Sequence, residues 1–230
     1  MNSNKPLQSP APAPANSDQI LVEPSRRVHD ALSAYQNKRN FSLTPEPRGE
    51  TKTTGSSLSF VIHKHWASSL HYDFRLELDG VLKSWAIPKG PSFDPKSKRM
   101  AVQVEDHPMS YASFEGVIPP RQYGAGKVIV WDSGTWTPIG DPHQGYCDGN
   151  LKFVLQGHKL LGRWVLVRMN AKNERQTPWL LIKEKDAFAR SSAEYNVVDE
   201  LPSGVSTAPT LEGKSDTDRC SKLGSSSISL

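Results

Sequence analysis

Cysteine is nearly missing: Cys147 and Cys220 are the only two in 230 residues, and they form no C-x-x-C pair. That argues against a disulfide framework and a cysteine-rich zinc site, and it fits a reducing cytosol. Long apolar runs are lacking too. No uninterrupted span approaches the about 18 residues a membrane helix needs, and Met1 to Ala15 holds no apolar stretch of the kind found in secretory signals. The chain is therefore expected to be soluble and cytoplasmic, with no membrane partner. Excess charge is modest. A net charge of +4 and a pI near 9.0 permit nucleic-acid binding without demanding it. Apolar residues make up 36% and mean hydropathy is −0.54, low for a wholly compact chain, which points to polar tails.

Those tails are visible in the composition. Residues 1–24 are rich in Pro, Ala, Ser and Asn and include Pro10-Ala11-Pro12-Ala13-Pro14, the texture of a disordered arm. Residues 201–230 turn Ser/Gly/Thr-rich and are expected to be disordered as well. One domain over residues 25–200 is left between them. Ser25 is placed to cap a short helix with Val28, Leu32 and Tyr35 at helical spacing. From Leu58 the pattern becomes short strands: Ser59–Lys64, Tyr72–Leu78, Val81–Ile87, Arg99–His107, Lys127–Trp131, Gly134–Pro138, Asn150–Gln156, Gly162–Met169 and Trp179–Glu184. Asp79-Gly80 is a hairpin signal. The fold class is mainly β, an antiparallel barrel or sandwich.

The densest chemistry lies in His65-Trp66-Ala67-Ser68-Ser69-Leu70-His71-Tyr72-Asp73-Phe74-Arg75. In a strand, His71, Asp73, Arg75 and Glu77 share one face and Tyr72, Phe74, Leu76 and Leu78 the other. Taken alone, His-x-Asp on a strand is more often a wet polar face than a metal site. Two features tip the balance. His65 precedes the strand by only a short loop, and Arg99, Glu105 and His107 alternate on a second strand. Imidazole and carboxylate without thiolate suit a hard to borderline ion, Mn²⁺ first and Zn²⁺ or Co²⁺ as substitutes. Arginines beside it suit a phosphate. His107 is read either as a proton donor or as a further ligand.

Other signals carry less. Glu77-Leu78-Asp79-Gly80 has a glutamate where a nucleotidyl transferase needs its lysine. Gly124-Ala125-Gly126-Lys127 is too short for a P-loop and reads as a tight start to a strand. The six tryptophans are spaced as core residues, with base stacking the less common role. His29, His63, His143 and His158 read as packing or surface residues.

Several ordered motifs together resemble the 3′-phosphoesterase domain of bacterial DNA ligase D. They are His65–Glu77, Lys83-Ser84-Trp85-Ala86-Ile87-Pro88-Lys89-Gly90-Pro91, Arg99–Pro108, Phe114–Pro119 and Tyr123-Gly124-Ala125-Gly126, with Leu151–Phe153 through Trp179–Lys183. The resemblance covers roughly residues 35–190. It implies a compact antiparallel β-barrel with one or two short flanking helices and a groove for one Mn²⁺. It implies removal of a 3′-terminal ribonucleoside, then of the remaining 3′-phosphate, during end-joining repair. By the same resemblance His65, His71 and Asp73 are the metal ligands. Arg75, Arg99, Lys89, Glu105 and His107 surround the scissile phosphate, Tyr111 is a further functional residue, and Arg39 and Glu46 serve from the N-terminal arm. DNA 3′ ends, a separate ATP-dependent ligase and Ku are the implied partners, in the bacterial nucleoid, and the chain reads as a stand-alone phosphoesterase. Three departures stand out: Asn40 where the family carries aspartate, His63 where it carries glutamine, and Pro120-Arg121 in the loop after Pro119. A non-catalytic DNA-end or ligase-binding module is the rival reading. A non-haem iron oxygenase built on His71, Asp73 and His107 is a more distant one.

Overall fold

The computed structural model describes residues 24–49, 57–170 and 177–205. The expected arm over 1–24 lies outside the described residues except for Pro24, as does the tail beyond residue 205. Helix α1 spans Pro24–Asn37 and begins just before the expected cap at Ser25, burying Leu32 and Tyr35 as the spacing predicts.

Ten strands follow: β1 (Ser59–Trp66), β2 (Leu70–Leu78), β3 (Val81–Ile87), β4 (Arg99–Gln103), β5 (His107–Pro108), β6 (Gly116–Ile118), β7 (Gly126–Pro138), β8 (Asn150–Gly157), β9 (Leu161–Arg168) and β10 (Pro178–Lys183). Every pairing is antiparallel. The order β1-β2-β3-β4-β10-β9-β8-β7 closes through a β7–β1 pairing, so eight strands make a barrel, while β6 extends from β7 and β5 from β3. Closure removes the open sheet edges that invite aggregation. A 3₁₀ turn (Met109–Ser113), α2 (Pro142–Asp148) and α3 (Val197–Glu200) complete the described elements. That is three α-helices rather than one or two. No described helix is long and apolar enough to cross a membrane.

The Asp79-Gly80 turn forms as predicted, with φ of 56° and 74°, the left-handed pair of a tight hairpin. Two strand expectations need correction. Lys127–Trp131 and Gly134–Pro138 are one long strand, β7, whose pairing with β1 shifts register at Ile62/His63. Beside it, Asp132 accepts hydrogen bonds from the backbone amides of Ser133, Lys159 and Leu160. Arg99–His107 is not one strand: β4 stops at Gln103, and the Val104 amide turns to the Ser84 carbonyl. Trp131 Nε1 donates to the Leu201 carbonyl and the Val205 amide to the Val130 carbonyl, so residues 201–205 dock on the barrel.

Strand β1 divides the apolar interior in two. Phe60 and Ile62 belong to the large core with Phe74, Trp85, Phe153, Trp164 and Trp179. Val61 belongs to a smaller cluster with Tyr35, Leu82, Tyr111, Val128 and Val130, under α1 and the 3₁₀ turn. The parity of a strand puts His63 and His65 on the Val61 face. On β2, Asp73 and Arg75 likewise turn away from the large core that holds Tyr72, Phe74 and Leu76. Functional side chains are thus collected on one outer face of the barrel. Gly126 fixes the approach to that face. Its φ is 145°, and an added Cβ would stand 2.1 Å from the Trp66 carbonyl oxygen. Gly126→Ala is expected to cost at least about 2 kcal/mol and to lower the melting temperature by roughly 5 °C or more in a thermal scan.

Candidate metal and phosphate site

The three-residue turn Ala67–Ser69 pairs His65 directly with His71 and His63 with Asp73. One ligand atom from each of His65, His71 and Asp73 lies within 4.8 Å of the other two. The two imidazoles are held by backbone carbonyls: His65 Nε2 is 2.9 Å from the Gly124 oxygen, and His71 Nδ1 is 2.9 Å from the Ser69 oxygen. A ring nitrogen facing a carbonyl carries a proton, and in a neutral ring the other nitrogen then presents a lone pair. Those free nitrogens, His65 Nδ1 and His71 Nε2, each stand 3.6 Å from an Asp73 oxygen. That gap is too long for a hydrogen bond. It lies just above the spacing of about 3.0–3.5 Å between donors sharing one divalent ion at about 2.1 Å, so small side-chain shifts would close the three donors around an ion. The residues therefore fit a metal of the borderline class.

Arg75 sits behind the cluster, 2% exposed. Its Nε donates to His63 Nδ1 at 3.3 Å, one terminal nitrogen to Ser84 Oγ at 2.8 Å and the other to Asp73 Oδ2 at 3.1 Å. Burial would raise the Asp73 carboxyl, but the Arg75 guanidinium and the two histidines more than offset it and hold the group well below the usual carboxylate range. Burial, with Arg75 nearby, pushes His63 down to about 3, so it is a neutral acceptor.

A second arginine comes from outside the barrel. Arg39, just past α1, donates from Nε to Glu46 at 2.8 Å and from its terminal nitrogens to Glu105 at 3.1 Å and His107 Nε2 at 3.2 Å. Glu46 is held in turn by the Thr44 hydroxyl, and the guanidinium lies 3.8 Å from the Tyr35 ring centroid. Lys38 adds an ammonium 2.9 Å from Glu105. Although burial acts the other way, Lys38 and Arg39 keep the Glu105 carboxyl below its ordinary value.

His107 is 3% exposed, and burial, then Arg75 and Arg39, holds its pKa well below the ordinary value. It is neutral, with Nδ1–H toward the Glu105 carbonyl at 2.9 Å and Nε2 accepting from Arg39. As pH falls below about 6.5 the unfolded chain takes up a proton that the native imidazole refuses, so stability falls with pH. For this one group the slope reaches at most about 1.4 kcal/mol per pH unit. Denaturant titrations of metal-free protein are expected to show that loss between about pH 6.5 and pH 5, and His107→Gln should reduce it.

One cavity of about 250 Å³ is lined by His65, His71, Asp73, Arg75, Glu105, His107, Tyr111, Arg39 and Glu46. Two expected residues are not brought to it. Arg99 pairs opposite Leu181 on β4, and because the strand ends at Gln103 it no longer shares a face with Glu105 and His107. Lys89 is exposed in the turn after β3. The expected pair of arginines is instead Arg75 and Arg39. His107 stands apart from the three-residue ligand cluster. Tyr123, Ile118 and the Gly124 carbonyl line the cavity unforeseen, and Ser84 supports Arg75 from β3. Ser84 was within reach: a two-residue turn at Asp79-Gly80 puts it opposite Arg75. Asn40 is exposed, its side chain accepting from the Ser42 amide at 3.1 Å, a local turn contact. His29, His143 and His158 are exposed, as expected.

Comparison with known proteins agrees with this geometry. Residues 63–168 match the family described as DNA Ligase D 3′-phosphoesterase domain. The multifunctional non-homologous end joining protein LigD of Pseudomonas aeruginosa is 54% identical over 182 residues, covering 78% of this chain and 22% of that protein. The LigD DNA repair protein of Mycobacterium tuberculosis is 42% identical over 190 residues, covering 81% of this chain and 24% of that protein. The matched region thus spans less than a quarter of each of these relatives. Over residues 63–168 the chain belongs to the DNA ligase D 3′-phosphoesterase domain family.

Proposed function

We propose that the protein is a divalent-metal phosphoesterase that heals DNA 3′ ends. It removes a 3′-terminal ribonucleoside to leave a 3′-phosphate and then hydrolyses that phosphate to a 3′-hydroxyl. The observation that carries this reading is the pair of imidazoles pinned by the Gly124 and Ser69 carbonyls, free nitrogens toward Asp73, with Arg75 alongside. Mn²⁺ is the preferred ion, with Co²⁺ or Zn²⁺ as substitutes. Bound there, it would supply Lewis-acid polarisation of a phosphoryl oxygen and lower the pKa of a bound water.

The chain's own residues do the rest. Arg75 spends three N–H groups on His63, Ser84 and Asp73, which leaves two for phosphate oxygens in a fixed fork. Arg39, oriented by Glu46 and Glu105, supplies further positive charge from the opposite partner set. In the second step water attacks phosphorus, the P–O3′ bond breaks and the 3′ oxygen leaves with a proton. The Tyr111 phenol, whose pKa burial raises, stands in the wall as a hydrogen-bonding group for those oxygens, and neutral His107 accepts from Arg39 and so helps to orient it. Exposed Lys89 and half-buried Arg99 have no place in this first set of contacts.

The names of the relatives place them in non-homologous end joining, and we extend that setting here, with a separate ATP-dependent ligase and Ku as working partners. The test is a primer–template ending in one 3′-ribonucleotide, incubated with Mn²⁺ or EDTA. Shortening to a 3′-phosphate and then a 3′-hydroxyl, abolished by EDTA, is expected. Tight end binding without product would favour a non-catalytic module. Because the same two-histidine, one-carboxylate set serves non-haem iron, turnover of 2-oxoglutarate with Fe²⁺ would favour an oxygenase.

A further inference from the structure

Trp66 is the odd tryptophan of this fold. Trp85, Trp131, Trp136, Trp164 and Trp179 are 0–2% exposed, whereas Trp66 is 38% exposed. Strand register sets it in a row. Trp66 pairs with Leu70 on β2 and with Lys127 on β7, and Lys127 pairs with Val117 on β6. Directly paired residues share a face, so one outward row carries Leu70, Trp66, Lys127 and Val117. Leu70 is 43% and Val117 61% exposed, and Lys127 is exposed as well. Two ammonium groups flank the indole, Lys64 Nζ at 5.1 Å and Lys127 Nζ at 5.8 Å from its ring centroid. By alternation the row lies on the opposite face of β1 from His65, at the rim of the barrel where β1 ends, one residue before Ala67, which lines the cavity.

An apolar partner covering Leu70, Trp66 and Val117 would leave the Lys127 ammonium in their midst without a counter-charge. A ligand with a flat aromatic face and anionic groups beside it satisfies both parts of the row. Single-stranded nucleic acid has that chemistry: bases stack on exposed aromatics while lysines meet the phosphates. We propose that the Trp66 row is a docking platform for single-stranded DNA, on which a base of the strand reaching into the cavity stacks against the indole. The proposal rests on DNA being the substrate of the neighbouring cavity and adds where the strand is gripped.

The experiment uses the full chain in EDTA, so that no hydrolysis intervenes, with a single-stranded DNA of about 12 nucleotides carrying a 3′-phosphate. Because the other five tryptophans are buried, saturable quenching of intrinsic fluorescence reports on Trp66. Trp66→Ala is expected to weaken binding about 5- to 100-fold and remove the quenching, while Trp66→Tyr keeps affinity near wild type. Lys127→Ala should lower the slope of log affinity against log salt by about 1. In the Mn²⁺-loaded protein, Trp66→Ala should raise KM for the oligonucleotide while kcat for a mononucleoside 3′-phosphate stays unchanged. Unaltered affinity and KM in Trp66→Ala would overturn the platform even if hydrolysis is intact. Concentration-dependent dimerisation lost in Trp66→Ala, without quenching by DNA, would assign the row to a second copy and also overturn it. Quenching without any hydrolysis in the wild type would leave the platform standing and remove the phosphoesterase reading.

Discussion

Asp73→Ala is expected to remove Mn²⁺ binding and to cut hydrolysis of a 3′-phosphate at least about 100-fold, because metal polarisation supplies several kcal/mol and each 1.4 kcal/mol is tenfold in rate. The same change carries a structural penalty. Asp73 accepts from Arg75 at 3.1 Å, and their side chains are only 10% and 3% exposed. Removing one partner of such a buried pair costs about 3–5 kcal/mol, since the other charge is stranded. Asp73→Asn separates the two effects. The amide oxygen can still accept from Arg75, so the melting temperature should fall less than in Asp73→Ala, while metal binding and activity are lost in both. If Asp73→Asn keeps wild-type activity, the carboxylate is not a ligand.

Arg75→Met is the second large effect. Methionine fills much of the volume but leaves His63, Ser84 and Asp73 without their shared donor. Loss of a preorganised donor to developing phosphoryl charge is expected to lower kcat about 100- to 1,000-fold at saturating metal. Metal affinity should also drop about 10- to 100-fold, as it does when a group that orients a ligand is lost. A spectroscopic sign accompanies the kinetics. After burial, Arg75 is the leading cause holding His107 low, so its removal should move the His107 titration up toward the ordinary histidine value, read by imidazole NMR in metal-free protein. An unmoved titration would mean that burial alone sets it. Arg75→Lys should restore the charge but not the three-way grip, leaving activity closer to Arg75→Met than to wild type.

How far the sequence reveals this arrangement depends on whether short-range geometry decides it. A tight turn sets strand register. Asp79-Gly80 therefore places Ser84 opposite Arg75, and Ala67–Ser69 places His65 opposite His71. The barrel strands and the gathering of His65, His71 and Asp73 follow from alternation and spacing. Alternation misleads where a strand stops: Arg99, Glu105 and His107 have matching parity in the sequence, but the chain leaves the sheet after Gln103 and the parity is lost. Nothing local could show that Arg39, before the barrel in sequence, crosses to Glu105 and His107. Nor does any residue pattern mark the Gly124 carbonyl that sets the His65 tautomer, because a backbone oxygen has no letter of its own. Asn40, conspicuous as a departure from its family, turns out to cap a local turn through Ser42, a task an amide oxygen performs as well as a carboxylate. Trp66 shows the converse. Its letter and its parity with Phe60 and Ile62 suggest core, yet it stands 38% exposed because β1 ends there.

The central claim is that His65, His71 and Asp73 together hold one divalent ion. Electron paramagnetic resonance of Mn²⁺ titrated into the purified chain tests it most directly, because the free aquo ion and the bound ion give distinct signals. The account predicts one bound ion per chain in the wild type and none in His71→Ala, with the fold of that variant intact by circular dichroism. Equal binding in the wild type and His71→Ala, or no binding in either, would contradict it.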